Sequence, residues 1–441
     1  MTRRRRSLPR EPVSAHIDSL SHEGRGVARI DGKTVFVQGA LPGEDVLCRY
    51  TRKHARYSEA LALEISHPSP LRVTPMCVHA DVCGGCSLQH LGAEDQIAHK
   101  QSVMLEQLRH IGEVEPESVF EPLRGPLRGY RRKARLGVKY VEKKGGVLVG
   151  FREKASPFIA DIHGCEVLHP SVGRRIDELR ELIGSLQARA RIPQIEVAVG
   201  DQKTVLCLRH LDPLSPSDRE ALSAFGQRHG IGITLQPGGP DSIQPLWPEP
   251  GMALSYSLPV LQLSFAFRVD DFTQVNADIN RDMVARVLEL LDPRSADTVL
   301  DLFCGLGNFT LPLARRAGQV TGIEGDAALV RRARDNAAGN GIDNARFEQV
   351  DLAAPEQVAA FMRQRYDKLL LDPPRSGAAE IIAQLDCTGI GRIVYVSCNP
   401  ATLARDAGIL VREQGYRLLG AGIMDMFPQT AHVESIALFE R

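Results

Sequence analysis

Two residues near the end of the chain have the types and positions that bond-making chemistry needs. The stretch "IVYVSCNP", residues 393–400, is an apolar run that delivers Cys398 to its carboxyl end and turns at Asn399-Pro400. A cysteine inside a core is packing. A cysteine at the rim of a sheet, where ligands sit, is a nucleophile. Pro400 fixes the chain after the turn and so aims the thiol. The stretch "HVESIALF", residues 432–439, sets Glu434 just ahead of the last apolar run. A carboxylate in a desolvated cleft titrates closer to neutrality, which suits a general base. His432 competes for that role, but a histidine at a strand start is more often structural, so Glu434 is preferred.

A second set is built of thiols. "CVHADVCGGC" carries Cys77, Cys83 and Cys86 with the spacing C-x5-C-x2-C, and Cys165 in "DIHGCEVLHP" is a candidate fourth ligand. Four thiolates suit zinc or an iron–sulfur cluster. Zinc sites usually join C-x2-C to another short pair, whereas here the fourth thiol stands alone. Cys48, Cys207, Cys304 and Cys387 fit no such pattern and read as small buried hydrophobes.

The elements that must position Cys398 and Glu434 follow from about residue 270 onward. Helical stretches alternate there with the apolar runs "DTVLDLF", "QVTGIEG", "YDKLLLD" and "RIVYVSC". That alternation predicts an α/β Rossmann-like domain, a parallel sheet with helices on both faces. "VLDLFCGLGNFTLPLA" (299–314) reads as strand, glycine turn and helix, with Gly305 and Gly307 letting a ligand approach the backbone. Glu324 ends the next strand 19 residues after Gly305, where an acid can bind both hydroxyls of a ribose. Asp351 ends a third strand, within reach of an adenine amino group. The pocket therefore suits an adenosine. A dinucleotide site wants a third glycine where Thr310 stands, and Asp301 would repel a diphosphate but accept from an ammonium. S-adenosylmethionine is favoured over NAD on both counts.

The fourth strand ends in Asp372-Pro373-Pro374-Arg375. Amino-methylases place Asn-Pro-Pro-aromatic here to hold an exocyclic amine. Asp for Asn and Arg for the aromatic point away from an amine target. A thiolate beside a methyl donor has another use. Carbon 5 of a pyrimidine is a poor nucleophile, but a thiolate adding to carbon 6 makes the ring an enolate whose carbon 5 attacks the sulfonium methyl. A base must then remove the carbon-5 proton before the thiol can leave.

"DLFCGLGNF", "LLLDPPRSG", "VSCNP" and "HVESIALF", together with "FTQVN" (272–276), resemble the S-adenosylmethionine-dependent RNA (uracil-C5)-methyltransferases in order and spacing. The resemblance implies Cys398 as nucleophile and Glu434 as base. It implies that Gln274, Phe303, Asn308, Glu324, Asp351 and Asp372 surround the cofactor. The spacing of Cys77, Cys83, Cys86 and Cys165 is similar to that of the 4Fe-4S site in the ribosomal-RNA branch, so a cluster is expected before zinc. The first 67 residues resemble a TRAM domain, an OB-like barrel that binds RNA. Barrel and cluster together are similar to the branch acting on one uracil of 23S ribosomal RNA. The alternatives are the branch that methylates two 23S sites and a transfer-RNA enzyme. From other classes, a non-catalytic RNA-binding assembly protein and an iron–sulfur redox protein remain as rivals.

At 441 residues, the chain exceeds one compact core. The expected division is a TRAM-like barrel over 1–67, a central α+β domain over 72–265 with the thiol site, and the catalytic domain over 266–441. "SHPSPLRVTP" (66–75) reads as a linker, and a helix over 93–111 is a candidate to pack on the catalytic domain. Formal net charge is zero, but residues 1–60 hold twelve Lys/Arg against seven Asp/Glu, and residues 124–154 eleven against two. The second block interleaves Tyr130, Tyr140 and Phe151, which suits a phosphate backbone with bases to stack on. No apolar run reaches the roughly 18 residues that span a bilayer. The basic start "MTRRRRSLPR" lacks the apolar stretch of a secretory signal, so export is not expected. The cytoplasm and a monomer are the expected setting.

Overall fold

The computed structural model describes residue 8 and residues 11–352, 354–361, 364–385 and 387–441. Apart from Leu8, the basic start of the chain lies outside the described residues. The chain divides into two compact units: one of Met1–Lys100, Phe151–Ala160 and Phe427–His432, the other of Gln101–Gly150, Asp161–Met426 and Val433–Arg441.

The first unit is built on a six-stranded sheet running from Val13–His16 to Tyr57–His67. Period-two alternation in "KTVFVQ" turns Val35 and Val37 inward, to pack with Ile17, Ala28, Val46 and Cys48. The stretch 66–75 is pinned rather than loose. Glu44, wholly buried, accepts from Arg72 Nε at 2.5 Å, the Leu41 amide at 2.8 Å and the Ser69 amide at 3.1 Å. A buried carboxylate is tolerable only with its lone pairs taken up in this way.

The second unit carries two main sheets. One is six-stranded and mixed, with Lys133–Val141, Gln194–Val199 and Thr204–Arg209 at its middle. The other has eight strands in the spatial order Ala345–Gln349, Gln319–Glu324, Thr298–Leu302, Lys368–Leu371, Arg392–Ser397, Glu434–Glu440, Arg417–Met424, Ser118–Val119. The first five run parallel, as the alternating pattern predicts; Glu434–Glu440 is antiparallel to both its neighbours. Thr298–Leu302, Lys368–Leu371 and Arg392–Ser397 bury all but their first residue, as strands covered on both faces do, whereas the edge strand Ala345–Gln349 buries only Phe347.

The order reverses between Thr298–Leu302 and Lys368–Leu371. Such a switch point opens a crevice at the carboxyl ends of the strands, where ligands bind in open α/β sheets. Helix Ala277–Leu291 buries Ile279, Met283, Val284, Val287, Leu288 and Leu291, one stripe at helical spacing. Its first turn is capped by Asn276, whose side chain accepts from the Ile279 amide, a bond contributing about 1 kcal/mol.

The helix expected over 93–111 is α-helical over Ala93–Gln107 and widens to a π turn over Leu108–Gly112. That turn packs against helix Pro400–Arg412. A Cβ on Gly112 would run into the Ala404 carbonyl, and one on Gly408 into the Gly112 carbonyl. Backbone therefore lies on backbone behind the helix that follows Cys398. Cys48, Cys207, Cys304 and Cys387 are buried, whereas Cys398 is only half-buried.

Candidate active site

The glycine turn after Thr298–Leu302 leaves ordinary backbone space at once. Phe303 has φ of 66°, Gly305 56° and Gly307 93°. A bulky residue held in the left-handed region marks a turn that the surroundings over-determine, as ligand sites often do. The Gly305 amide donates to Glu324 Oε2 at 3.1 Å and the Asp326 amide to Oε1 at 3.0 Å, so the Glu324 carboxylate is oriented from two sides. Phe303, Glu324 and Asp351 line one cavity of about 620 Å³, together with Ser376, Gly377 and Arg405. That volume is in the range of small-molecule sites, and an acid sits where a ribose needs one. The residues present therefore fit an adenosine-bearing cofactor.

Asn308 and Gln274 stand elsewhere. Asn308 forms a reciprocal amide pair with Asn280, at 3.0 and 3.1 Å, and accepts from the Tyr256 hydroxyl at 2.9 Å. Gln274 lines a small cleft beside Arg132, Thr273 and Asn280. Asn280 is thus common to both, a residue the sequence reading missed because nothing in its spacing ties it to the glycine turn. Beneath the turn, wholly buried Asp301 accepts from Thr310 Oγ1 at 2.6 Å. Burial pushes its carboxyl up to about 8, with the charges of Asp372 and Glu324 adding to the shift.

Strand register brings Cys398 and Glu434 to one end of the sheet. Arg392–Ser397 pairs antiparallel with Glu434–Glu440, Ser397 opposite Ser435. Cys398 follows that last pair on one strand and Glu434 precedes it on the other, close enough for the Glu434 charge to act on the thiol. Glu434 is 9% exposed. Burial, with the charges of Glu434 and Asp372 adding to it and the Arg375 guanidinium opposing, pushes the Cys398 thiol up to about 11. Burial likewise pushes Asp372 up to about 7. The structure thus groups Cys398, Glu434, Asp372 and Arg375 by their mutual electrostatics. Arg375 was legible in the sequence only as a departure from the amino-methylase aromatic; its effect on the thiol was not.

Asn399 is also more than a turn residue. Its side chain caps helix Pro400–Arg412 by accepting from the Ala401 amide at 3.1 Å, while Nδ2 donates to the Arg375 carbonyl at 3.0 Å. The Asn-Pro that ends the strand therefore starts the next helix and holds the Asp372 turn at once.

The thiol loop belongs to the first unit for Cys77, Cys83 and Cys86, and to the second for Cys165. Cys83 Sγ accepts from the Gly85 amide at 3.4 Å, and Cys77 lies close enough for its charge to raise the Cys83 thiol further after burial has done so. Lys154 faces both Cys83 and Cys86. Amide donors and a nearby cation suit thiolate ligands. Among the described residues, no group of three or more His, Cys, Asp or Glu is assembled in a metal-holding geometry. The donor chemistry of the thiols fits a thiolate-bound metal.

The basic segment 124–154 departs from its sequence reading. Tyr130 is 4% exposed and belongs to the core, so it offers no face to a base. The Tyr140 ring is covered by the Arg189 guanidinium, 5.2 Å from its centroid. Arg128, Arg132 and Arg135 are paired with Glu166, Asp201 and Glu196. The acids come from distant parts of the chain, which is why a local charge count overstated the free positive charge.

Residues 254–441 match the family model described as tRNA (Uracil-5-)-methyltransferase, and residues 6–63 match the TRAM domain. The chain is 54% identical, over its full length and 99% of the relative, to the 23S rRNA (uracil(1939)-C(5))-methyltransferase RlmD of Alcanivorax borkumensis. It is 55% identical to the protein of the same name from Methylococcus capsulatus, covering 99% of each chain. Among solved structures, it is similar to the Pyrococcus abyssi tRNA (uracil-54, C5)-methyltransferase in complex with S-adenosyl-L-homocysteine. The TM-score is 0.73 at 25% identity, over 97% of this chain and all of that one.

Proposed function

The chain belongs to the family of the 23S rRNA (uracil(1939)-C(5))-methyltransferases RlmD, and from that premise we propose its reaction. It transfers the methyl group of S-adenosylmethionine to carbon 5 of a uracil in 23S ribosomal RNA, by way of a bond between Cys398 and carbon 6. The observation that carries this reading is the grouping of a half-buried Cys398 with Glu434 and Asp372 at the carboxyl end of the sheet.

The Cys398 thiolate adds to carbon 6, and the ring electrons move toward the carbonyl at carbon 4. Carbon 5 then takes the methyl group as its bond to the sulfonium breaks, leaving S-adenosylhomocysteine. Glu434 removes the carbon-5 proton, the ring double bond re-forms, and the Cys398 sulfur departs with the electron pair. Arg375 supplies the positive charge that favours the thiolate. Asp372 holds or yields a proton near neutrality and suits the polar edge of the ring. Phe303, Glu324 and Asp351 hold the adenosine, and Gln274 and Asn308, through Asn280, close the side toward helix Ala277–Leu291.

The target base must leave its stack for carbon 6 to be reached from the face. The barrel is the RNA-holding element, joined by the exposed remainder of segment 124–154. Folded loops suit such recognition better than a duplex, whose deep major groove admits no side chain. Among the described residues, no helix is long and apolar enough to cross a membrane. A cytoplasmic monomer is the simplest acting species.

The test is to incubate the purified protein with S-adenosylmethionine and unmodified 23S RNA and to map 5-methyluridine. One methylated uracil, at the position equivalent to 1939, is expected. A second site would favour the two-site branch. Methylation of transfer RNA alone would overturn the substrate, and RNA binding with no methyl transfer would favour an assembly protein.

Cys77, Cys83, Cys86 and Cys165 are the proposed ligands of a 4Fe-4S cluster. When bound, the cluster cross-links distant parts of the chain; methyl transfer moves no net electron and needs no redox partner. Anaerobically purified protein is expected to hold about four iron atoms and as much acid-labile sulfide per chain. Cys83→Ser is expected to lose both. Stoichiometric zinc without sulfide would replace the cluster by zinc.

A further inference from the structure

The Asp372 turn and the Cys398 turn come from neighbouring parallel strands, and beyond the strand ends Asn399 Nδ2 ties them at the Arg375 carbonyl. A buried carboxylate adds a second tie. Asp406, on helix Pro400–Arg412, is 0% exposed. Its Oδ2 accepts from the Tyr395 hydroxyl at 2.6 Å and from the Ala378 amide at 2.6 Å. Its Oδ1 accepts from Arg405 Nε at 2.8 Å. Tyr395, itself wholly buried, stands three residues before the nucleophile on the same strand, and Ala378 six residues after Asp372. Arg405 in turn donates to the Ser376 carbonyl at 2.8 Å.

The fit is close. Gly377 has φ of 79°, and a Cβ there would stand 2.6 Å from Asp406 Oδ2 and 2.5 Å from the Arg405 guanidinium. Ser376, Gly377, Ala378 and Arg405 are also part of the cofactor cavity wall. A wholly buried carboxylate whose ionic partner is half exposed is a poor device for stability. Apolar side chains of similar volume commonly do as well or better in such places. What it supplies is geometry, with three donors from three elements converging on one rigid acceptor.

We propose that Asp406 is a positioning residue: its carboxylate clamps the turn after Asp372 to the strand and helix that flank Cys398, and so sets the distance between the methyl-donor cavity and the nucleophile. This rests on the reaction proposed above. Wild-type methyl transfer is therefore measured first, since its absence would fail that reaction and not the clamp.

The test uses the full-length enzyme with Asp406→Asn and Tyr395→Phe, each rate being normalised to folded protein. Misplacement of a reacting group by about 1 Å costs on the order of 10²-fold in rate. Asp406→Asn is expected to lower kcat by about that factor while KM for RNA stays within about twofold. Tyr395→Phe keeps the ion pair and loses one donor, and is expected to lower kcat about tenfold. Single-turnover adduct formation on 5-fluorouridine RNA should slow in parallel. A purely structural role would lower the folded fraction and leave kcat per folded molecule unchanged, and that result overturns the proposal. Should Asp406→Asn fail to fold, Tyr395→Phe decides: an unchanged kcat sinks the clamp, and a tenfold fall with constant KM sustains it.

Discussion

Cys398→Ala is expected to abolish methyl transfer, with a loss of at least roughly 10⁴-fold in kcat, because removing a covalent nucleophile leaves only binding and orientation. The variant should fold and hold S-adenosylmethionine normally, since Cys398 is half-buried and does not line the cofactor cavity. Retained turnover would eliminate the thiolate mechanism outright. The protonation state of the thiol adds a second reading. Burial, then Glu434 and Asp372, push it up to about 11 against the charge of Arg375. In the resting enzyme at neutral pH, the thiol is therefore overwhelmingly protonated. Alkylation of Cys398 by iodoacetamide, followed on its own peptide by mass spectrometry, should rise about tenfold per pH unit between roughly 7 and 10. Arg375→Ala removes the opposing charge and should slow alkylation at every pH in that range. A pH-independent rate would mean that the thiol is already ionised.

Glu434→Gln is expected to separate the two halves of the reaction. Loss of a positioned base costs about 10²–10⁴-fold in the step it serves, which here is removal of the carbon-5 proton. The amide keeps the shape of the side chain, so addition and methyl transfer proceed and the methylated adduct accumulates. RNA should then migrate with the protein on a denaturing gel after a single turnover, in stoichiometric amount, with little free product. Because the Glu434 charge raises the Cys398 thiol, its removal should also make the resting cysteine somewhat more reactive, the opposite of a general loss of integrity. Product release at the wild-type rate would move the base elsewhere, and His432 would be the next residue to replace.

The proposed chemistry rests largely on local sequence. A run of β-formers ending in Ser-Cys-Asn-Pro, a glycine turn between strand and helix, and acids at successive strand ends each depend on a few neighbouring residues. Backbone sterics and hydrophobic periodicity act over that same range, so the parallel sheet and its cofactor turn could be read without coordinates. The buried cysteines were legible for the same reason, since nothing adjacent gave them work.

What only the tertiary structure decided was settled by through-space terms. Tyr130 looked like a stacking aromatic and is core, and the arginines near it are paired with acids from distant parts of the chain. The Asn280–Asn308 pair, the Arg375 charge on the thiol and the Asp406 clamp join residues that no local pattern links. The height of the Cys398 and Asp372 pKa values is likewise set by desolvation, which exists only once the chain has packed around them. Residue types in order determined which atoms are available to react, and their packing decided how those atoms are aimed and charged.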